Sequence, residues 1–196
     1  MTFKDKHYEI VRGAISNDLL KYLQIMCDVH ENANLFCKSP TKENLFPFSD
    51  DMVKECFSWY GSAQSETLMV FLKEKIELIV EKELYETYSY YRTYYTQAEL
   101  KKHIDRPSCE YSATVCIQKD RVSWPIFFET LDRKIEKIDL EDGDLIIYKG
   151  AVLPHWREKF QGNKHRQIFT HYVDKQGIYK NCKYDTRPVL GLGVIK

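Results

Sequence analysis

His103 and Asp105 are separated by one residue, and His155 stands far downstream. In an extended strand, residues two apart project to the same side. His103 and Asp105 are therefore expected to reach one metal ion together while Ile104 turns away. A third donor from a distant strand completes a triangular face. Two imidazoles and one carboxylate on one face of an octahedron leave three positions open, a donor set suited to Fe(II). The carboxylate is a hard donor that neutralises part of the cation's charge. Beside Lys101-Lys102 and Arg106-Pro107, the pair alone would equally suit an exposed turn. His165 and His171 compete with His155 for the third place. His171 falls inside an expected strand, where packing or hydrogen bonding suits it, and His165 sits in the polar run Gly162-Asn163-Lys164-His165. His155 follows directly on an expected strand and a short turn. Pro154 fixes the chain's entry, and Trp156 is placed to shield a metal from bulk water.

The donors need a scaffold, and the chain supplies helices first and strands after. Residues 7–12 alternate weakly and are expected to form a short strand. Ser16 is a good N-cap and Asp18 falls in the first turn; Leu19, Leu20, Leu23 and Met26 then recur at helical spacing, which predicts a helix over 17–30. Residues 31–48 show no period and read as a loop. Ser49-Asp50-Asp51 is expected to cap a short helix to about Tyr60, which Gly61-Ser62 breaks. Over 65–84, Leu68, Phe71, Leu72, Ile76, Ile79 and Val80 predict a longer helix packed on a sheet. From Tyr88 the pattern turns strand-like, with Tyr88, Tyr90, Tyr91, Tyr94 and Tyr95 crowded into one β-forming run. Further strands are expected at 111–118, 125–130, 134–140, 144–149 and 166–173, with Asp142-Gly143 turning into the one at 144. The tail from 175 mixes Gly, Lys, Asn and Pro and is expected to be irregular, with Arg187-Pro188 extended. This order describes an α+β protein or a β-sandwich braced by helices.

Tyr95-x4-Leu100-x2-His103-x-Asp105 is followed by the strand Gly143-Asp-Leu-Ile-Ile-Tyr148, the lone His155 and a basic residue beyond it. This pattern resembles the 2-oxoglutarate/Fe(II) dioxygenases, and within them the prolyl 4-hydroxylase-like subgroup. The strings His103-Ile-Asp-Arg-Pro-Ser-Cys-Glu and His155-Trp-Arg-Glu are similar to a microbial and phage branch of it. The resemblance spans roughly residues 8–173. It implies a double-stranded β-helix, or jelly roll, braced by N-terminal helices. One domain would cover 1–196, with a helical part to about 87, a jelly-roll core over about 88–174 and the tail from 175.

The resemblance also implies roles. His103, Asp105 and His155 would bind Fe(II). The cosubstrate 2-oxoglutarate would chelate the metal through its 1-carboxylate and 2-oxo group, with O2 in the remaining position and ascorbate as a reductant. Oxidative decarboxylation to succinate and CO2 would drive hydroxylation of a C–H bond. Arg166 is the expected anchor of the distal carboxylate, because a guanidinium offers it a planar fork. Thr170 shares its face by period two, and Tyr95 is the expected hydroxyl donor opposite. The interval from His155 to Arg166 is slightly longer than the family's, so Lys164 and Arg157 are rivals to Arg166, as Tyr94 is to Tyr95. Arg106, Trp124, Trp156 and Arg157 are candidates for substrate contact. A peptidyl proline is the expected substrate; a free amino acid, another protein side chain or a small metabolite are the alternatives.

Composition narrows the partners. A chain of 196 residues suits one domain with a sizeable core. Lys and Arg, 29 together, balance 29 Asp and Glu, which argues against nucleic acid or an anionic membrane as partner. There is no apolar run of about 20 residues, so no membrane span is expected, and the first residues lack the shape of a signal peptide. None of the six cysteines forms a C-x-x-C pair, which argues against a zinc knuckle and suits a cytoplasmic protein with free thiols. Two non-catalytic readings compete with an oxygenase. One is a jelly-roll binding module with a structural metal, which would need a fourth protein ligand that the sequence does not offer. The other is an interaction scaffold using the helix at 65–84.

Overall fold

The computed structural model describes residues 2–37 and 52–191. A short helix α1 (Phe3–Lys6) leads into strand β1 (Tyr8–Val11) and helix α2 (Asn17–Cys37). Strand β2 (Cys56–Tyr60), helix α3 (Ala63–Val80) and the long strand β3 (Leu84–Tyr95) follow. Then come β4 (Leu100–His103), β5 (Tyr111–Gln118), β6 (Ile126–Glu129), β7 (Ile135–Ile138), β8 (Leu145–Tyr148), β9 (His155–Arg157) and β10 (Lys164–Asp174). Two 3-10 turns, Pro107–Cys109 and Lys180–Thr186, lie beside this framework.

The strands form two antiparallel sheets, a major one ordered β1-β8-β5-β10-β3-β2 and a minor one ordered β4-β9-β6-β7. Side chains alternate along each strand. On β5, Tyr111, Ala113, Val115 and Ile117 face the helices and join Leu23, Met26, Leu72 and Ile76 in one core. Cys116, with Ile146 and Tyr148 of β8, faces the minor sheet and packs on Ile126, Phe128 and Ile138. The major sheet is thus covered on both sides.

The helix starts follow their caps. Ser16 accepts from the Leu19 amide at 3.3 Å, and Ser62 accepts from the Ser65 amide at 3.2 Å. α3 stops where Glu81 turns left-handed at φ 55°. α2 runs past residue 30 to Cys37, so the start of the expected loop is helical, while 38–48 lie outside the described residues. The helix expected from Ser49 to Tyr60 is not formed. Ser49–Asp51 lie outside the described residues, and Cys56–Tyr60 is an edge strand paired with β3. Its aromatic residues gain more from β3, where Phe57 meets Tyr91 edge-on at 5.5 Å, than from a helix. β1 and β2 belong to the major sheet, so the expected boundary near residue 87 does not separate helices from strands. Among the described residues, no helix is long and apolar enough to cross a membrane.

Candidate functional site

His103 ends β4 and His155 opens β9, and the two are direct partners across that antiparallel pair. Their rings lie 4.4 Å apart between centroids. Asp105 sits just beyond β4 rather than on it, where its amide donates to the Gly150 carbonyl at 2.8 Å. Its Oδ1 stands 3.4 Å from His103 Nε2 and 3.5 Å from His155 Nε2. These separations are long for N–H···O hydrogen bonds, which fall at about 2.7–3.2 Å. They suit neighbouring ligands on one cation, since bonds of about 2.1 Å at right angles put two donors about 3 Å apart. Both ring tautomers are set locally. His103 Nδ1 lies 2.8 Å from the Lys101 carbonyl and His155 Nδ1 2.9 Å from the Leu153 carbonyl. A carbonyl only accepts, so each Nδ1 carries the hydrogen and each Nε2 lone pair turns towards Asp105. The three donors fit a divalent cation.

Burial opposes ionisation of Asp105, but the neighbouring imidazoles and the Ser112 hydroxyl outweigh it and hold the carboxyl well below the ordinary range. Burial disfavours the charged form of His103, yet Asp105 wins and raises its pKa; His155 is deeper, burial prevails there, and its pKa falls. The donors open onto a pocket with about 640 Å³ of empty space, its solvent-facing part included. That is room for more than a metal ion.

Arg157, two residues after His155 on β9, lines this pocket and is 3% exposed. Its Nη1 donates to the Trp124 carbonyl, and the guanidinium lies 4.8 Å from the Trp124 ring centre. Among the described residues no carboxylate pairs with it. Burial pushes its pKa down. Tyr94 lines the same pocket, fully buried, and accepts from Arg92 Nη1 at 3.2 Å, which leaves its own O–H to donate.

The other cosubstrate residues expected from sequence are not here. Arg166 lies on the helix-facing side of the major sheet. Its Nε donates to Glu31 at 2.8 Å, Nη2 to Asp28 at 2.7 Å and Nη1 to Gln118 at 2.9 Å. It is a strut between α2 and β10. Lys164 joins the same Glu31 at 3.1 Å, Tyr95 packs against the helix-side core, and Thr170 shares the Arg166 face. The expected register is off by one residue: Phe169 and His171 face the pocket, as do Arg92 and Tyr94 on β3. Arg166 is drawn to the other side because α2, longer than its sequence pattern suggested, carries Glu31 to it.

Of the substrate-contact candidates, only Arg157 lines the pocket. Arg106 is half exposed and spans Asp185 with two hydrogen bonds of 2.7 Å. Trp124 forms a wall behind the pocket, edge-on to Tyr94 at 4.7 Å. Trp156 alternates to the outer face of the minor sheet, where it stacks on Phe127 at 5.6 Å, so it does not shield the donors. His165 stays out of the cluster, enclosed by Trp124 and Phe160, and burial pushes its pKa down to about 3. His171 is packed and hydrogen-bonded, as the strand suggested, but against Ser112 beside Asp105. Ser112, Gly150 and Tyr148 were not singled out by sequence. The available signal was period two on β5 and β8, which puts Ser112 and Tyr148 on the face opposite the helical core.

No family model matches this chain, and neither does any curated protein. Solved structures do match. A Pseudomonas putida prolyl-4-hydroxylase aligns with TM-score 0.68 at 10% identity, over 88% of this chain and 95% of that one. HygX from Streptomyces hygroscopicus, solved with nickel, 2-oxoglutarate and hygromycin B, aligns with TM-score 0.65 at 10% identity, over 89% and 85%. A Trichoplax adhaerens prolyl hydroxylase, in complex with a hypoxia inducible factor peptide, aligns with TM-score 0.66 at 13% identity, over 89% and 86%. At such identities the likeness is one of fold. The chain has the fold of prolyl hydroxylases and other 2-oxoglutarate oxygenases.

Proposed function

We propose that this chain is an Fe(II)- and 2-oxoglutarate-dependent dioxygenase that hydroxylates its substrate. One observation carries the reading. Three donors stand at the spacing of neighbouring metal ligands, both imidazoles locked as Nδ1–H, and face a pocket lined by the buried Arg157 guanidinium, which pairs with no carboxylate among the described residues. His103 Nε2, His155 Nε2 and Asp105 Oδ1 would hold the metal. Arg157 would receive the distal carboxylate of 2-oxoglutarate, with the Tyr94 hydroxyl as second donor. An unpaired buried charge is costly, and an anionic ligand relieves that cost. When bound, the metal and cosubstrate supply the oxidation by O2, with succinate and CO2 as coproducts. Tyr148, edge-on to His155 at 4.9 Å, and Ile126 keep water from that side of the site.

The finer readings are part of the same proposal. The two sheets are the walls of a double-stranded β-helix within a single domain, and the protein works in the cytoplasm with reduced thiols. A peptidyl proline is the proposed substrate. The sequence resemblance and the two prolyl hydroxylases among the structural matches support it.

Two measurements test this. Adding 2-oxoglutarate to the anaerobic Fe(II) protein should produce a weak visible charge-transfer band; a protein that binds Fe(II) and shows no band is a non-catalytic module. Incubation with Fe(II), ascorbate, 2-oxoglutarate and a proline-peptide library should then add one oxygen atom to a peptide. Succinate formed without any modified peptide would move the substrate to a free amino acid or small metabolite.

A further inference from the structure

The carboxylate of Asp105 has two oxygens, and only Oδ1 faces the histidines. Oδ2 points the other way, into a tight polar nest. Ser112 Oγ lies 2.8 Å from Oδ2, 3.3 Å from the Cys109 carbonyl and 3.0 Å from His171 Nδ1. A serine hydroxyl has one hydrogen. The shorter contact, to the charged acceptor, takes it, because charge-assisted hydrogen bonds are the stronger ones. With that hydrogen spent on Asp105, the contact with His171 needs a donor, and His171 Nδ1–H supplies it. The nest has no spare room. A Cβ at Gly150 would overlap Asp105 Oδ2, Ser112 Oγ and the Cys109 carbonyl at once. The Gly150 carbonyl meanwhile holds the Asp105 amide at 2.8 Å.

We propose that Ser112 and His171 form a positioning relay, His171 Nδ1–H to Ser112 Oγ–H to Asp105 Oδ2, which keeps Asp105 a one-oxygen ligand. This rests on the metal-site reading above. A carboxylate free to turn would offer both oxygens to the metal and occupy a second position. Holding Oδ2 keeps three positions open, two for the chelating cosubstrate and one for O2. Ser112 and His171 touch neither metal nor substrate in this role; they act through Asp105. Each of the three ligands then has its own tether: the Lys101 carbonyl on His103, the Leu153 carbonyl on His155 and the Ser112 hydroxyl on Asp105.

The test is Mn(II) affinity of the full chain, read from the electron paramagnetic resonance signal of free Mn(II), so that turnover is not needed. Ser112→Ala should weaken binding about 10- to 100-fold, the usual effect of removing an outer partner of a metal ligand. His171→Leu should weaken binding, and His171→Asn, which retains an N–H donor, should restore it. The second readout is the visible band of the anaerobic Fe(II) protein at saturating metal. There Ser112→Ala should need more 2-oxoglutarate for half-maximal signal, since a two-oxygen Asp105 competes for the chelate's position. Equal Mn(II) affinity in wild type and Ser112→Ala overturns the relay. An equal loss in His171→Leu and His171→Asn also overturns it, since the donated hydrogen would then not be the cause. If Ser112→Ala does not fold, the His171 pair decides. If wild type binds Mn(II) no better than Asp105→Ala, the metal reading itself fails, and the relay fails with it.

Discussion

Replacing Arg157 by methionine should have two effects of opposite sign. The guanidinium is 3% exposed and pairs with no carboxylate among the described residues. Without a ligand it is a net burden on the fold, because a buried charge without a counter-ion loses more hydration than one carbonyl contact returns. Arg157→Met should therefore raise the melting temperature of the metal-free, ligand-free protein. With 2-oxoglutarate the sign reverses. A hydrogen-bonded charged pair contributes about 1.5–3 kcal/mol. At about 1.4 kcal/mol per tenfold, a loss of 2–3 kcal/mol raises the apparent cosubstrate KM roughly 30- to 140-fold. Arg166 makes the control. Its side chain is 2% exposed and tied to Glu31, itself 10% exposed. Arg166→Met takes the guanidinium from Glu31 and Asp28, while Lys164, Tyr91 and Thr93 still bind Glu31, so the loss is that of a charged hydrogen bond, about 1.5–3 kcal/mol. In a domain of this size such a loss lowers the melting point by about 3–12 °C, with the 2-oxoglutarate KM unchanged. Differential scanning fluorimetry and succinate release measure both quantities on the same preparations. If Arg166→Met raises KM while Arg157→Met leaves it alone, the assignment of the two faces of the major sheet is wrong.

Tyr94→Phe should raise the same KM by a smaller factor, about fivefold for one neutral hydrogen bond of about 1 kcal/mol, and Tyr95→Phe should not change it. His103→Ala, Asp105→Ala and His155→Ala should each abolish stoichiometric Fe(II) binding by equilibrium dialysis, whereas His165→Ala should retain it. Asp185 gives a pH dependence. Burial opposes its ionisation, but Arg106 and hydrogen bonds from Tyr60 and Ser108 hold its pKa down at about 2, against an ordinary 3.8. A depressed carboxylate pKa stabilises the fold above the ordinary value, and that stability drains away as pH falls from there through the folded value. The gap in urea midpoint between wild type and Asp185→Asn should be open at pH 5 and mostly closed at pH 2. A gap that persists undiminished at pH 2 would mean the contact does not depend on the charge.

The candidate donor cluster was legible because two of its members sit two residues apart beside a strand and the third opens another. The proposed cosubstrate side was not, and the reason lies in β3 and β10. Both strands are covered on both faces, so neither shows the apolar/polar alternation that marks a half-buried strand. Along β3, Tyr91 and Tyr95 face the helices while Arg92 and Tyr94 face the pocket, so both sides carry polar aromatic residues. β10 adds register shifts between Arg166 and Gln167 against β5 and between Thr170 and Tyr172 against β3. A period-two count from Arg166 meets Ile168 on one face and skips Phe169 on the other, so apolar residues on both faces leave its phase unset. The strand at Cys56–Tyr60 was hidden for a related reason: a short aromatic run becomes a strand only where a partner such as β3 lies beside it, and that pairing is not local.

Residue type alone could not choose between Arg166 and Arg157. Both are arginines nine-tenths buried or more, on strands that flank the same interior. What separates them is the rest of the coordination. Arg166 has Glu31, Asp28 and Gln118, with a donor from each of its three nitrogens engaged and two carboxylates already matching its charge. Arg157 has one backbone carbonyl and an aromatic face, and the rest of its fork opens on the pocket. A guanidinium has five N–H donors, and burial makes each unfilled one expensive. The fold tolerates that cost at Arg157 and nearly eliminates it at Arg166. A strut is stable when its hydrogen bonds are complete, whereas a binding group must be left incomplete until its ligand arrives. That criterion is why Arg157 is the proposed anchor of the 2-oxoglutarate carboxylate, and α2, through Glu31, is the element that takes Arg166 out of contention.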